Sequence, residues 1–438
     1  MDSGDTAWVL ASSALVLLMT PGLAFFYGGM VRSKSVLNML MMNFVAIGIV
    51  SLLWVLYGFS EAFGNSTRSG LFGDLSWAGM KDMTTIGTTY NGAVYHIPLL
   101  VFAAFQLMFA VITPALISGA IADRAKFGAW MIFVAGWVTI VYSPVAHWVF
   151  DFGNKDGDGA GWLARRGVLD FAGGTAVHVN AGAAGLALAI VLGKRIGWKK
   201  DPMRPHNLPL VMLGAGLLWF GWFGFNAGSA LGANALAGQA FFTTMVATAT
   251  AMLGWLAVER LRDGHFTSLG AASGAVAGLV AITPACAFVT PVGSVCLGLV
   301  AGAVCAVAVG LKWRLGFDDS LDVVGVHLVG GALGAVSLGF IADAGDLGEG
   351  LFYGGDPSLL GTQSLAVVCV AGYSFTVAFV LGKVIDLTIG FRIDEEDEVS
   401  GIDLAAHAET GYDLHAGTGG TSTGVIAAAT KSKEEVPA

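Results

Sequence analysis

The chain has 438 residues, of which 55% are hydrophobic and only 12% charged, and its mean hydropathy is +0.73. An ordinary soluble domain carries about 25% charged residues, so this composition excludes a water-soluble globule and points to an integral membrane protein. The net charge of -9 says little about partners, because much of it sits in one cluster, "IDEEDEVSGID", after the last apolar stretch.

In chain order, windows of about 20 apolar residues, the length that crosses a bilayer as helix, begin near Ala7, Val36, Val94, Phe127, Asp170, Leu208, Ala237, Ser268, Pro291, Val323 and Thr362. The expected fold is an all-α polytopic membrane protein with eleven transmembrane helices. The opening "MDSGD" lacks a positive n-region, so the first window reads as a retained span and not a cleaved leader. Residues 1–392 form the expected transmembrane domain. Residues 393–438 form a polar tail, Gly/Thr-rich beyond Leu414 and of a composition that stays disordered. The 63 glycines fit close packing of helix backbones in lipid.

Cytoplasmic loops collect Lys and Arg. With the N-terminus outside, the inner loops hold Arg32, Lys34, Arg124, Lys126, Lys194, Arg195, Lys199, Lys200, Arg204, Arg260, Arg262, Lys312 and Arg314, and the inner tail holds Lys383, Arg392, Lys431 and Lys433. Arg68, Lys81, Lys155, Arg165 and Arg166 fall outside. This asymmetry places the C-terminus in the cytoplasm.

Two segments echo each other. "VHVNAGAAG" in the fifth window and "VHLVGGALG" in the tenth share the Val, the His, the Gly and Ala that follow, and a final Gly. Each has an upstream acid, read as Asp170 and Asp322. Two halves of five helices would then repeat, and because five is odd the second copy enters from the opposite side, as an inverted repeat. The eleventh helix lies outside it. His178 and His327 would meet near the midplane.

Polar groups inside spans are expensive and therefore informative. For the histidines, two readings stand side by side: a facing pair across a pore, or core histidines each bonded to a neighbouring carbonyl or hydroxyl. Two imidazoles without a third ligand make a poor metal site. Asp170 reads either as a helix N-cap or as a carboxylate favouring a cation at a pore, and Asp322 as the cap of its own helix. The rings of "FFYGG", "FQLMF", "HWVF" and "WFGWFGFNAGS" fit interfacial belts, or a pore mouth that holds a small cation by its quadrupole. Cys286, Cys296, Cys305 and Cys369 lie in apolar stretches without metal spacing and read as packing residues. Nucleotide-binding, hydrolase and zinc-protease motifs are missing, so an enzyme is not expected, and neither is a nucleic-acid partner.

The blocks "TPGLAFFYGGMVRSK", "DFAGGTAVHVNAG", "RPHNLP", "GWFGFNAGSA", "GAVAGLVAITPACAFV", "DVVGVHLVGG" and "DLTIGFRIDEEDEVSGID" together resemble the ammonium transporter (Amt/Mep/Rh) family, on its Amt side. That resemblance implies a homotrimer in the plasma (inner) membrane, one pore per subunit, and passage of ammonium nitrogen without a cofactor. By motif it implies an outer NH4+ recruitment site at Phe109, Ser229 and Phe150 with Asp170 in support and Gln106 beside it. It further implies a gate of Phe109 and Phe225 with Phe26 near the narrow stretch, and pore histidines at His178 and His327. It also implies a PII-type nitrogen regulatory protein at the cytoplasmic face. In this chain Phe150 stands where the family's pattern has tryptophan, and a phenyl ring gives a weaker cation–π contact. Trp148 lies two positions away, a turn of about 200° on a helix. An ammonium sensor signalling through its tail and a channel for neutral gases are the alternative functions.

Overall fold

The computed structural model describes residues 1–67, 69–81, 83, 96–153 and 159–412. Arg68, Lys155, Lys431, Lys433, the expected start at Val94 and the distal tail lie outside them. Among the described residues, ten helices are long and apolar enough to cross a membrane. They are α1 (Ser3–Met30), α2 (Ser33–Phe63), α3 (Leu99–Ile121), α4 (Phe127–Phe150), α5 (Gly174–Leu192), α6 (Leu208–Gly228), α7 (Ala235–Asp263), α9 (Pro291–Leu315), α10 (Val324–Ile341) and α11 (Ser358–Thr388). The remaining expected window forms α8 (Ser268–Ile282), an apolar helix of 15 residues. It spans about 22 Å, shorter than the hydrocarbon core. A two-residue hairpin, β1 (Ser66–Thr67) with β2 (Phe72–Gly73), caps the end of α2.

Helix starts are set by local chemistry. Side-chain oxygens of Asp2, Asn207, Asn234, Thr267 and Thr290 each accept from the backbone N–H three residues on, satisfying a donor that the first helical turn leaves orphaned. Between helices, small residues set the spacing. On α6, Gly214, Gly221, Gly224 and Gly228 form one stripe against α1, and a Cβ at any of them would collide with Phe26, Met19, Leu15 or Ser12. In lipid, where apolar burial does not drive association, such close backbone approach supplies the packing energy.

The N-terminus and the 395–407 segment lie on opposite faces of the bundle. At one face the Asp2 N–H donates to His96 just ahead of α3. At the other, α12 (Glu395–Ser400) and α13 (Ile402–His407) fold back on the body. Glu398 accepts from the Ile196 N–H and from Arg392, both at 2.7 Å. Asp403 accepts from the Leu37 and Asn38 N–H groups that open α2. The proximal tail is thus a docked, folded segment. We call these the N-terminal face and the tail face.

Candidate functional site

Both histidines sit in a single wide turn. The Gly174–Val179 and Val324–Leu328 segments are π-helical, and such one-residue insertions often mark functional positions. Four residues beyond each histidine is a glycine. A Cβ on Gly182 would strike the Leu328 backbone, and one on Gly331 would lie 2.9 Å from the His178 Cβ. These two missing side chains let α5 and α10 cross closely enough for the imidazoles to meet. His178 and His327 stack with ring centres 5.4 Å apart and planes at 25°, and their Nδ1 atoms are 3.3 Å apart. Both rings are buried, and His178 Nε2 has no hydrogen-bond partner.

From this pair a column of rings runs toward the N-terminal face. Trp222 and Phe225, three apart on α6, lie on one helix face. Trp222 stacks on His178 at 5.3 Å and 20°, held by its indole N–H donating to Thr283 Oγ1. Phe225 lies 6.1 Å from His178 and stacks on Phe109 of α3 at 4.2 Å. The ring of Phe150 meets Phe109 edge-on at 6.4 Å. Above the Phe109–Phe225 stack is a cavity of about 30 Å3, lined by Gln106, Phe109, Phe150, Phe171 and Ser229 among others. The Ser229 hydroxyl donates to the Phe225 carbonyl, which leaves its oxygen free to accept. The Gln106 Oε1 has no partner.

Asp170 lies at the start of α5, buried. Its carboxylate accepts from the N–H groups of Gly173, Gly174, Thr175 and Ala176 and from the Thr175 hydroxyl. It gathers every free donor of that helix end, and none of these partners cancels its charge. Gly173 reaches this geometry with φ of 113°, in the region that favours glycine.

At the mirrored position the expectation of Asp322 fails. Asp319, not Asp322, lies eight residues before its histidine, as Asp170 does, and accepts from the Val323 and Val324 N–H groups. Asp322 falls five before, in the place of Gly173, and likewise has positive φ (66°). Its carboxylate turns away to Lys312 at 2.7 Å, whose Nζ also donates to the Asp319 carbonyl. Burial raises the Asp319 carboxyl to about 6 despite the opposing pull of Lys312. Beside it, burial would raise Asp318 too, but its hydrogen bonds and ion pair with Arg195 hold that carboxyl below its ordinary value.

Phe26 does not join the ring column. It packs at Gly214 on α6 with its ring on Tyr27, eleven residues or about 16 Å along the helix from Phe225. Trp148 points away from the cavity, its N–H donating to the Leu71 carbonyl and its ring on Trp162 and Tyr373. Of the cysteines, Cys286 and Cys305 are buried, Cys369 is half-buried and Cys296 is exposed on the single chain. Two participants escaped the sequence reading, Trp222 and Asp319. The i, i+3 spacing of Trp222 to Phe225 and the common eight-residue offset of the two acids were available signals.

The sequence signature of the Ammonium Transporter Family matches residues 7–412. The chain belongs to that family. A Mycobacterium bovis ammonium transporter is 56% identical, over 95% of this chain and 92% of that protein. Among family folds, the structure of a sensor Amt protein superposes with a TM-score of 0.83 at 30% identity, covering 92% of this chain and 98% of that one. Candida albicans Mep2 gives 0.82 at 34% identity, covering 91% and 88%. The family membership and the apolar helices make this a multi-pass membrane protein.

Proposed function

We propose that the protein transports ammonium across the plasma membrane, as its relatives' names say of them. The observation that carries this is the unbroken sequence Phe150, Phe109, Phe225, His178, His327 inside a membrane bundle. In this reading eleven spans, with α8 as the eighth, form two inverted five-helix repeats and a final helix. The N-terminal face is extracellular and the tail face cytoplasmic. Residues 1–392 form the transporting body of a homotrimer, and residues 393–438 form a cytoplasmic tail on which a PII-type regulator docks.

NH4+ enters the small cavity, where the π faces of Phe109 and Phe150 attract it. There the Ser229 oxygen accepts one of its hydrogens and the Asp170 charge favours its positive sign. K+ is similar in size but cannot lose a proton, so an apolar constriction that denies it water excludes it. NH4+ gives up its proton near Asp170, NH3 slips past the Phe109–Phe225 stack, and the histidine pair offers it the hydrogen-bond partners that the surrounding apolar walls lack, while the proton crosses by a separate or histidine-assisted route so that one charge enters with each NH3.

The test is current and internal pH in proteoliposomes given an ammonium pulse. A saturable inward current, lost on Asp170→Ala, is the expected result. Internal alkalinisation without current would recast the pore as an NH3 channel, and neither signal from folded protein would sink transport. The likeness to a sensor Amt protein favours a second reading, ammonium sensing through the tail. That reading predicts ammonium-dependent protection of the 395–407 segment in hydrogen exchange.

A further inference from the structure

The small cavity over the Phe109–Phe225 stack has a larger neighbour at the same mouth. This second cavity measures about 370 Å3 and shares Phe152, Phe171 and Ser229 with the first. Beyond the shared edge its walls are apolar, with Val168, Leu169, Leu236 and Phe288 among them, and among the described residues Asp170 is its single ionisable lining residue. Ammonium does not need such walls. An ion of that size fits the chamber of about 30 Å3, and apolar walls facing water gain free energy when a matching apolar ligand covers them.

We infer that the two cavities together form a site for amphipathic primary amines in their ammonium form. The –NH3+ head occupies the small chamber, against the Ser229 oxygen and the faces of Phe109 and Phe150, and the hydrocarbon tail lies in the larger cavity. This rests on the proposed recruitment site and extends it to a ligand class. Such amines block transport, because the tail cannot follow the head between rings stacked 4.2 Å apart. The charge is essential, since the aromatic faces and Asp170 select a cation and the apolar cavity alone selects nothing. Each methylene buried strengthens binding about fourfold, from the transfer free energy of a CH2 group.

The experiment measures ammonium-evoked current in proteoliposomes against methyl-, butyl- and hexylammonium, with hexanol as the uncharged control. Calorimetric binding of the same amines to the detergent-solubilised protein runs alongside. Ala230→Trp and Leu236→Trp, two independent ways to fill the larger cavity, complete the set. The expected result is a half-inhibiting concentration that falls about fourfold per methylene from butyl to hexyl, no inhibition by hexanol, and loss of the chain-length trend in either tryptophan variant with ammonium current retained. Equal potency at every chain length, inhibition by hexanol matching hexylammonium, or a trend that survives both variants overturns the inference. Protein that binds hexylammonium with the chain-length trend yet gives neither ammonium current nor internal alkalinisation keeps this site and refutes the transport reading instead.

Discussion

The starts of α5 and α10 are built on one plan and finished differently. Each has an acid eight residues ahead of a histidine, a residue with positive φ five ahead, a π turn around the histidine and a glycine four beyond. Yet Asp170 collects five donors and, among the described residues, no cation, whereas Asp319 collects two N–H groups and has Lys312 at its backbone and at the neighbouring Asp322. The difference teaches that the shared geometry serves the histidines, while the charge at each end is set separately. One end keeps a negative field open to the cavity, and the other has a lysine set against its acids.

The largest expected effect comes from exchanging each acid for its neutral isostere. Asp170→Asn turns an amide NH2 toward N–H donors and removes the charge, and ammonium current should fall about 100-fold, a barrier of roughly 3 kcal/mol. Asp319→Asn loses less, because burial already raises that carboxyl toward its neutral form. Its current should stay within about fivefold of wild type. Equal losses at the two positions would show that both acids do the same work.

Next in size is the helix crossing. Gly331→Val puts methyl groups against the His178 Cβ, and overpacking of this kind costs about 1–3 kcal/mol. Thermal unfolding should shift downward and the spacing of the histidine rings should widen in a crystal structure of the variant. Gly372→Val, with nothing within 4 Å of its Cβ, should leave both unchanged.

The smallest expected change sharpens the open end. Phe150→Trp strengthens the cation–π contact by about 0.5–1 kcal/mol, so the half-saturating ammonium concentration should fall about two- to fivefold. A Trp148→Phe variant, altered on a ring that faces Trp162 and Tyr373, should not change it.

Most of the architecture was legible because its signals are repeated along the chain. Apolar windows recur, and the histidine, glycine and alanine of the two echoing segments keep their spacing. Asp322 misled because the nearest upstream acid was taken as the partner of Asp170, when the offset from histidine decides which residue reaches the helix end. For Phe26 the motif places the residue on a helix but does not say how far along the pore that helix face lies, and its backbone packs at Gly214, away from the Phe109–Phe225 stack. The π turns leave no trace in composition, since they alter the hydrogen-bond ladder by one residue and not the residue types. Trp222 looked like an interfacial ring and is instead buried against an imidazole.

The 3.3 Å contact between the two Nδ1 atoms has a consequence for direction. Between two neutral imidazoles, only one of those nitrogens can hold the hydrogen. The ring that donates must then present a bare Nε2, and the ring that accepts must carry its hydrogen on Nε2. The pair therefore has a polarity, with one outer edge that takes a hydrogen bond and one that gives it. Reversing the polarity requires both rings to change together, so the centre of the protein behaves as a single two-state element and not as two independent histidines.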